Sequence, residues 1–99
     1  MKFVAEMNKK KLNAIRKEID KVDVQLLGII KKRTQLVNKV IKIKKLKKQI
    51  VDIKRINDVL RKIKRKSVQK KIDPSITKNI WSTMINSYIK YERKNFNKK

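Results

Sequence analysis

Residues 12–23 read Leu-Asn-Ala-Ile-Arg-Lys-Glu-Ile-Asp-Lys-Val-Asp (LNAIRKEIDKVD). Leu12, Ile15, Ile19 and Val22 alternate steps of three and four, which puts them on one face of an α-helix. The alternation continues through Leu26 and Ile29 and resumes at Leu36, Val40 and Ile43, a nearly heptad seam. No proline interrupts it, and Gly28 is the only residue that costs a helix much, about 1 kcal/mol. The pattern predicts one helix from about Lys9 to about Lys45, roughly 55 Å long. A compact chain of this size has a radius of gyration near ~13 Å, so the helix overshoots its own globule. Its stripe needs a second surface, and a homodimer sharing long helices is the simplest source of one.

Working outward, Asp52 reads as the N-cap of a second helix with Ile56, Val59, Leu60 and Ile63 on its buried side. That helix is expected to fade through the basic, polar stretch of residues 64–71 (KRKSVQKK). Asp73 and Pro74 then supply an N-cap and a first helical position. The third helix carries Ile76, Ile80, Trp81, Met84, Ile85, Tyr88 and Ile89 and ends near Phe96, with a fraying tail at residues 97–99. Trp81, Met84 and Ile85 are expected in the core. No strand-like alternation and no internal repeat occur. The expected fold is all-α, a three-helix protomer in a single domain spanning residues 1–99.

Composition narrows the chemistry. The 99 residues include no cysteine and no histidine, which removes thiol catalysis, disulfides, Cys/His zinc sites and imidazole bases. One glycine cannot build a glycine-rich phosphate loop. No uncharged run approaches the ~18 residues needed to span a membrane. The start, MKFVAEMNKK, lacks the apolar core of a signal peptide, so a cytoplasmic location is expected. Net charge is +23, from 31 Lys and Arg against 8 Asp and Glu, which favours anionic partners. Roughly half the residues are Lys, Ile or Asn, three unlike types whose joint excess electrostatics does not explain. Much of the lysine is therefore expected to be passive, solvated surface.

Against this lysine background the arginines stand out. Arg16 sits beside the apolar stripe, and a step of four from Ile29 lands on Arg33, where the seam asks for an aliphatic side chain. A buried, unpaired guanidinium is costly, so Arg33 needs an anion. Lys44 follows eleven residues later, about three turns on, and so returns to the same face, with Val37 and Val40 between. Two readings remain open on periodicity alone. One is a cationic pocket holding a ligand. The other is an arginine that snorkels, or pairs with an acid of a partner helix. The acids Glu18, Asp20 and Asp23 read as helix-pairing or dipole-compensating residues of the first turns.

The order Leu12, Ile15-Arg16, Ile19-Asp20, Asp23, Leu26-Leu27, Arg33 and Lys44, then Val51-Asp52 with Arg55, then Asp73-Pro74, resembles the all-helical chorismate mutases. The resemblance runs from Leu12 to about Glu92, and its specificity lies in the ordered set. It implies an intertwined homodimer of three-helix protomers with two sites. It also implies the Claisen rearrangement of chorismate to prephenate, a step of aromatic amino acid biosynthesis, with no metal and no cofactor. By position it assigns Arg16, Arg33, Asp52, Arg55 and Tyr88 to substrate binding and Lys44 and Glu92 to catalysis. The arginine matching Arg16 serves the partner's site. Helix geometry agrees, because Arg16 and Arg33 lie seventeen residues apart, roughly 25 Å along one helix, too far to share one small dicarboxylate. Planar guanidinium groups suit its carboxylates, and Lys44 matches the donor to the breaking ether oxygen.

Three positions depart from the family pattern. Ile56 stands where mutases usually place a glutamate that bonds the substrate's ring hydroxyl. Tyr88 stands where serine is common, and a one-residue shift would instead align Ser87 and Tyr91. Glu92 replaces a frequent glutamine, and can help the ether oxygen only as a neutral donor. Ile56 and Tyr88 together resemble a sister family, the isochorismate-pyruvate lyases, which is the second reading. A third is a non-enzymatic basic helical protein that forms a coiled coil or binds nucleic acid. Its weakness is that aromatics are 5% and the lysines are spread around every helix, so only weak, salt-sensitive nucleic-acid binding is expected.

Overall fold

The computed structural model describes residues 2–97, and the expected fraying at Lys98 and Lys99 lies outside them. It is all-helical, with α1 at Lys2–Ile43, a single 3-10 turn at Lys47–Gln49, α2 at Ile53–Gln69 and α3 at Pro74–Phe96. The chain divides into two compact units, one running to Leu36 and the other from Val37 onward.

The first unit is the body of α1. The helix starts at Lys2 rather than near Lys9, and no acid stands in its first turn. Glu18, Asp20 and Asp23 therefore lie four or more turns inside. A helix dipole acts only over the first and last turns, so these acids do not compensate it. The seam is formed as expected, with Leu12, Ile15, Ile19, Val22, Leu26 and Ile29 on one face, and each is between 45% and 63% exposed. Thr34 Oγ1 donates to the Ile30 carbonyl at 2.9 Å, a bond along the helix that leaves its course intact.

In the second unit the last turns of α1 meet the connection to α2. Lys44 N–H donates to the Val40 carbonyl at 3.0 Å and closes the helix two residues before Leu46. Gln49 Oε1 then accepts from the N–H groups of Lys45 (2.9 Å) and Leu46 (2.8 Å), so one side chain satisfies the linker's donors. Ile41 and Ile50 on either side of this linker are the most buried hydrophobic residues among those described, each 5% exposed.

Asp52 caps α2 as expected, its Oδ1 accepting from Arg55 N–H at 3.0 Å. Ile56, Val59, Leu60 and Ile63 are half-buried on the side that packs against α3. α2 ends at Gln69, within the basic stretch where its end is expected. Inside that stretch Ser67 is buried and shares a 2.7 Å hydrogen bond with Thr77 of α3 while donating to the Ile63 carbonyl at 2.6 Å. Two hydroxyls bonded to each other can be buried where either alone would be costly.

The α2–α3 turn is a Schellman closure. Lys71 N–H donates to the Val68 carbonyl (3.1 Å) and Ile72 N–H to the Ser67 carbonyl (2.9 Å). The geometry requires the left-handed conformation at Lys71, whose φ is 60° although it is not glycine. Asp73 then caps α3 as expected, accepting from the N–H and the hydroxyl of Ser75 at 2.9 and 2.8 Å. Those two bonds, the backbone one first, hold its carboxyl below the usual carboxylate range. Trp81, Met84 and Ile85 are half-buried on the α3 face. Among the described residues no helix is long and apolar enough to cross a membrane.

Candidate active site

Each named side chain is positioned by a simple local device. Arg16 and Arg33 both lie on the uninterrupted α1 within the first unit, so their separation of roughly 25 Å along the helix axis holds. Arg16 is exposed and Arg33 half-buried. The remaining candidates belong to the second unit. Lys44 is the first residue past α1, Asp52 and Arg55 form the capped start of α2, and Tyr88 and Glu92 lie one turn apart on α3. Asp52 and Arg55 are exposed, whereas Tyr88 is half-buried.

Lys44 and Glu92 are brought together. Lys44 Nζ donates to Glu92 Oε1 at 3.1 Å, with the two side chains 21% and 10% exposed. Glu92 as a whole is 8% exposed, a buried carboxylate in a chain with few acids. Partial exclusion from water strengthens this charge-assisted bond and makes removal of either partner costly to the other. The arrangement presents an ammonium donor and a carboxyl group side by side, both mostly shielded from water.

Around the pair, Tyr88 and Tyr91 pack edge to face with ring centroids 6.2 Å apart. Tyr91 Oη donates to Asn38 Oδ1 of α1 at 2.6 Å, and Ser87 Oγ donates along the helix to the Thr83 carbonyl at 2.9 Å. Ile56 is half-buried on α2, an aliphatic side chain where a hydrogen-bonding group would be polar. The Lys44–Glu92 pairing and the Asn38–Tyr91 bond carry no local sequence signal, because each joins residues about fifty positions apart. Among the described residues no cluster of three His, Cys, Asp or Glu could hold a metal ion.

A separate groove of about 300 Å³ lies between α2 and the start of α3, lined by Leu60, Ile63 and Pro74 with Arg61, Lys64 and Lys78 among its charged residues. It shares no residue with the candidates above.

The family model described as chorismate mutase type II matches residues 15–93. No curated protein and no solved structure matches the chain.

Proposed function

Because the chain belongs to the type II chorismate mutase family, we propose that it isomerises chorismate to prephenate in a cationic, metal-free site. The observation that carries the reading is the Lys44–Glu92 pair, held at 3.1 Å and mostly shielded from water. In the Claisen rearrangement a carbon–oxygen bond breaks as a carbon–carbon bond forms, with no nucleophile and no redox step. The protein's tasks are to hold the substrate in its reactive conformer and to stabilise negative charge growing on the ether oxygen. Lys44 Nζ donates to that oxygen. Protonated Glu92 donates to it from the other side, which requires the substrate to displace the ion pair. Arg33 binds one substrate carboxylate, Arg55 and Asp52 bind the polar groups near the start of α2, and Tyr88 closes the wall.

Arg16 serves the partner's site in this reading. Support comes from the helical distance between Arg16 and Arg33 and from the exposed aliphatic stripe of the first unit. A continuous apolar face of this kind is what an isologous helix-sharing dimer buries.

The half-buried Ile56 favours a second reading, elimination of pyruvate from isochorismate to leave salicylate, since the site there offers no hydrogen bond to a ring hydroxyl. Incubation with chorismate and isochorismate in separate reactions distinguishes the two. Prephenate from chorismate is the expected product. Salicylate with pyruvate from isochorismate alone would reassign the enzyme, and the lack of any product would remove both readings.

A further inference from the structure

A second tie joins the same two stretches of the chain as the Lys44–Glu92 pair. The Tyr91 hydroxyl, on the residue preceding Glu92, reaches Asn38 in the last turns of α1 at 2.6 Å. Its ring meets Tyr88 edge to face, at an interplanar angle of 82°. One side chain thus touches α1 through its hydroxyl and a proposed ligand-binding residue through its ring.

We infer that Tyr91, bonded to Asn38, is a positioning residue that fixes the end of α3 on the end of α1 and thereby sets the Lys44–Glu92 separation. The need for such a device follows from the pair itself. Lys44 stands one residue beyond the helix and carries its ammonium on a flexible four-carbon stem. Holding that stem in one geometry costs rotamer entropy that an ion pair at the edge of solvent only partly offsets. Tyrosine spans the neighbouring gap with a rigid ring and two rotatable bonds, at low entropic cost. Because Glu92 directly follows Tyr91, any slide of α3 that frees the hydroxyl from Asn38 also displaces the carboxylate. A donor misplaced by about 1 Å can cost up to ~10²-fold in rate.

The test has two arms, and only the kinetic one rests on the mutase reading. Tyr91→Phe keeps the ring against Tyr88 and removes only the hydroxyl, Asn38→Ala removes the acceptor, and Asn38→Asp retains one. At a temperature where circular dichroism shows every variant folded, kcat on chorismate falls about three- to tenfold in Tyr91→Phe and in Asn38→Ala, with KM within about twofold of the parent. The double variant is no slower than the slower single, and Asn38→Asp recovers most of the rate. The second arm needs no activity. Thermal unfolding of Lys44→Met, Glu92→Gln and the double variant measures the coupling between those two side chains, which is expected to vanish in a Tyr91→Phe background. Full kcat in folded Tyr91→Phe, additive kinetic losses, or an unchanged Lys44–Glu92 coupling would each overturn the inference. A parent protein inert towards chorismate and isochorismate overturns the functional reading instead, and the unfolding cycle then decides this one.

Discussion

Up to Leu36 the chain displays its aliphatic side chains, with Leu12, Ile15, Ile19, Val22 and Leu26 all exposed. From Val37 onward aliphatic side chains such as Ile43, Ile53 and Val68 are exposed too, but the chain also buries Ile41 and Ile50 and two polar pairs, Ser67 with Thr77 and Glu92 with Lys44. Both regions carry a net positive charge and both are mostly helical, so neither the sign of the charge nor helix propensity accounts for the difference. What differs is whether a helix finds its packing partner among nearby residues of its own chain. α2 and α3 are joined by a four-residue turn and pack on each other. The seam of α1 is nearly heptad, a period suited to another long helix. In the proposed dimer, the apolar face of the first region is the surface that the partner covers.

The largest effect expected from breaking this contrast is on assembly. Ile19→Asp combined with Leu26→Asp places charges on the first unit's apolar face, and should yield monomers in sedimentation with loss of chorismate turnover. Retained activity in a monomer would show that each chain carries a complete site. Next comes Lys44→Ala in the self-packed region, expected to lower kcat by about 10²–10³ while the protein stays folded, since it deletes one preorganised donor. A loss below tenfold would remove Lys44 from that role.

Glu92 gives a subtler signal. Glu92→Gln puts an amide donor in the same place, so kcat on chorismate should stay within about threefold of the parent, whereas Glu92→Ala removes the donor and should lower it by at least about tenfold. Equal rates for Glu92→Gln and Glu92→Ala would contradict the donor role. The smallest effect tests the turn that lets α2 find α3. Lys71 adopts a left-handed conformation that glycine accepts without a Cβ penalty, so Lys71→Gly should stabilise the fold by roughly 0.5–1 kcal/mol in urea titration. Destabilisation would mean that the lysine side chain contributes more there than its backbone strain costs.

The legible parts of the fold were those written in local chemistry. Asp52, Asp73 and Pro74 announced two helix starts because capping needs only neighbouring N–H groups. The start of α1 was misplaced by seven residues because Lys2 has no capping acid in its first turn to mark it. The Ser67–Thr77 pair carried no sequence signal, because it is a contact between helices joining residues ten positions apart. Lys71 carried no signal either, since the left-handed position of such a turn is ordinarily glycine. At the site, resemblance named Lys44 and Glu92 separately, but their mutual pairing and the neighbouring Asn38–Tyr91 bond depend on how α1 ends against α3.

The central claim is that the displayed helix completes a site belonging to another copy of the chain, with Arg16 supplied across the dimer. Mixing Arg16→Ala with Arg33→Ala, after denaturation and joint refolding, tests it most directly. Each variant alone should be nearly inactive. Random pairing makes half the dimers hybrids with one intact site each, so the mixture should recover about a quarter of the parent activity. A mixture that forms hybrid dimers yet stays as inactive as its components would contradict the claim.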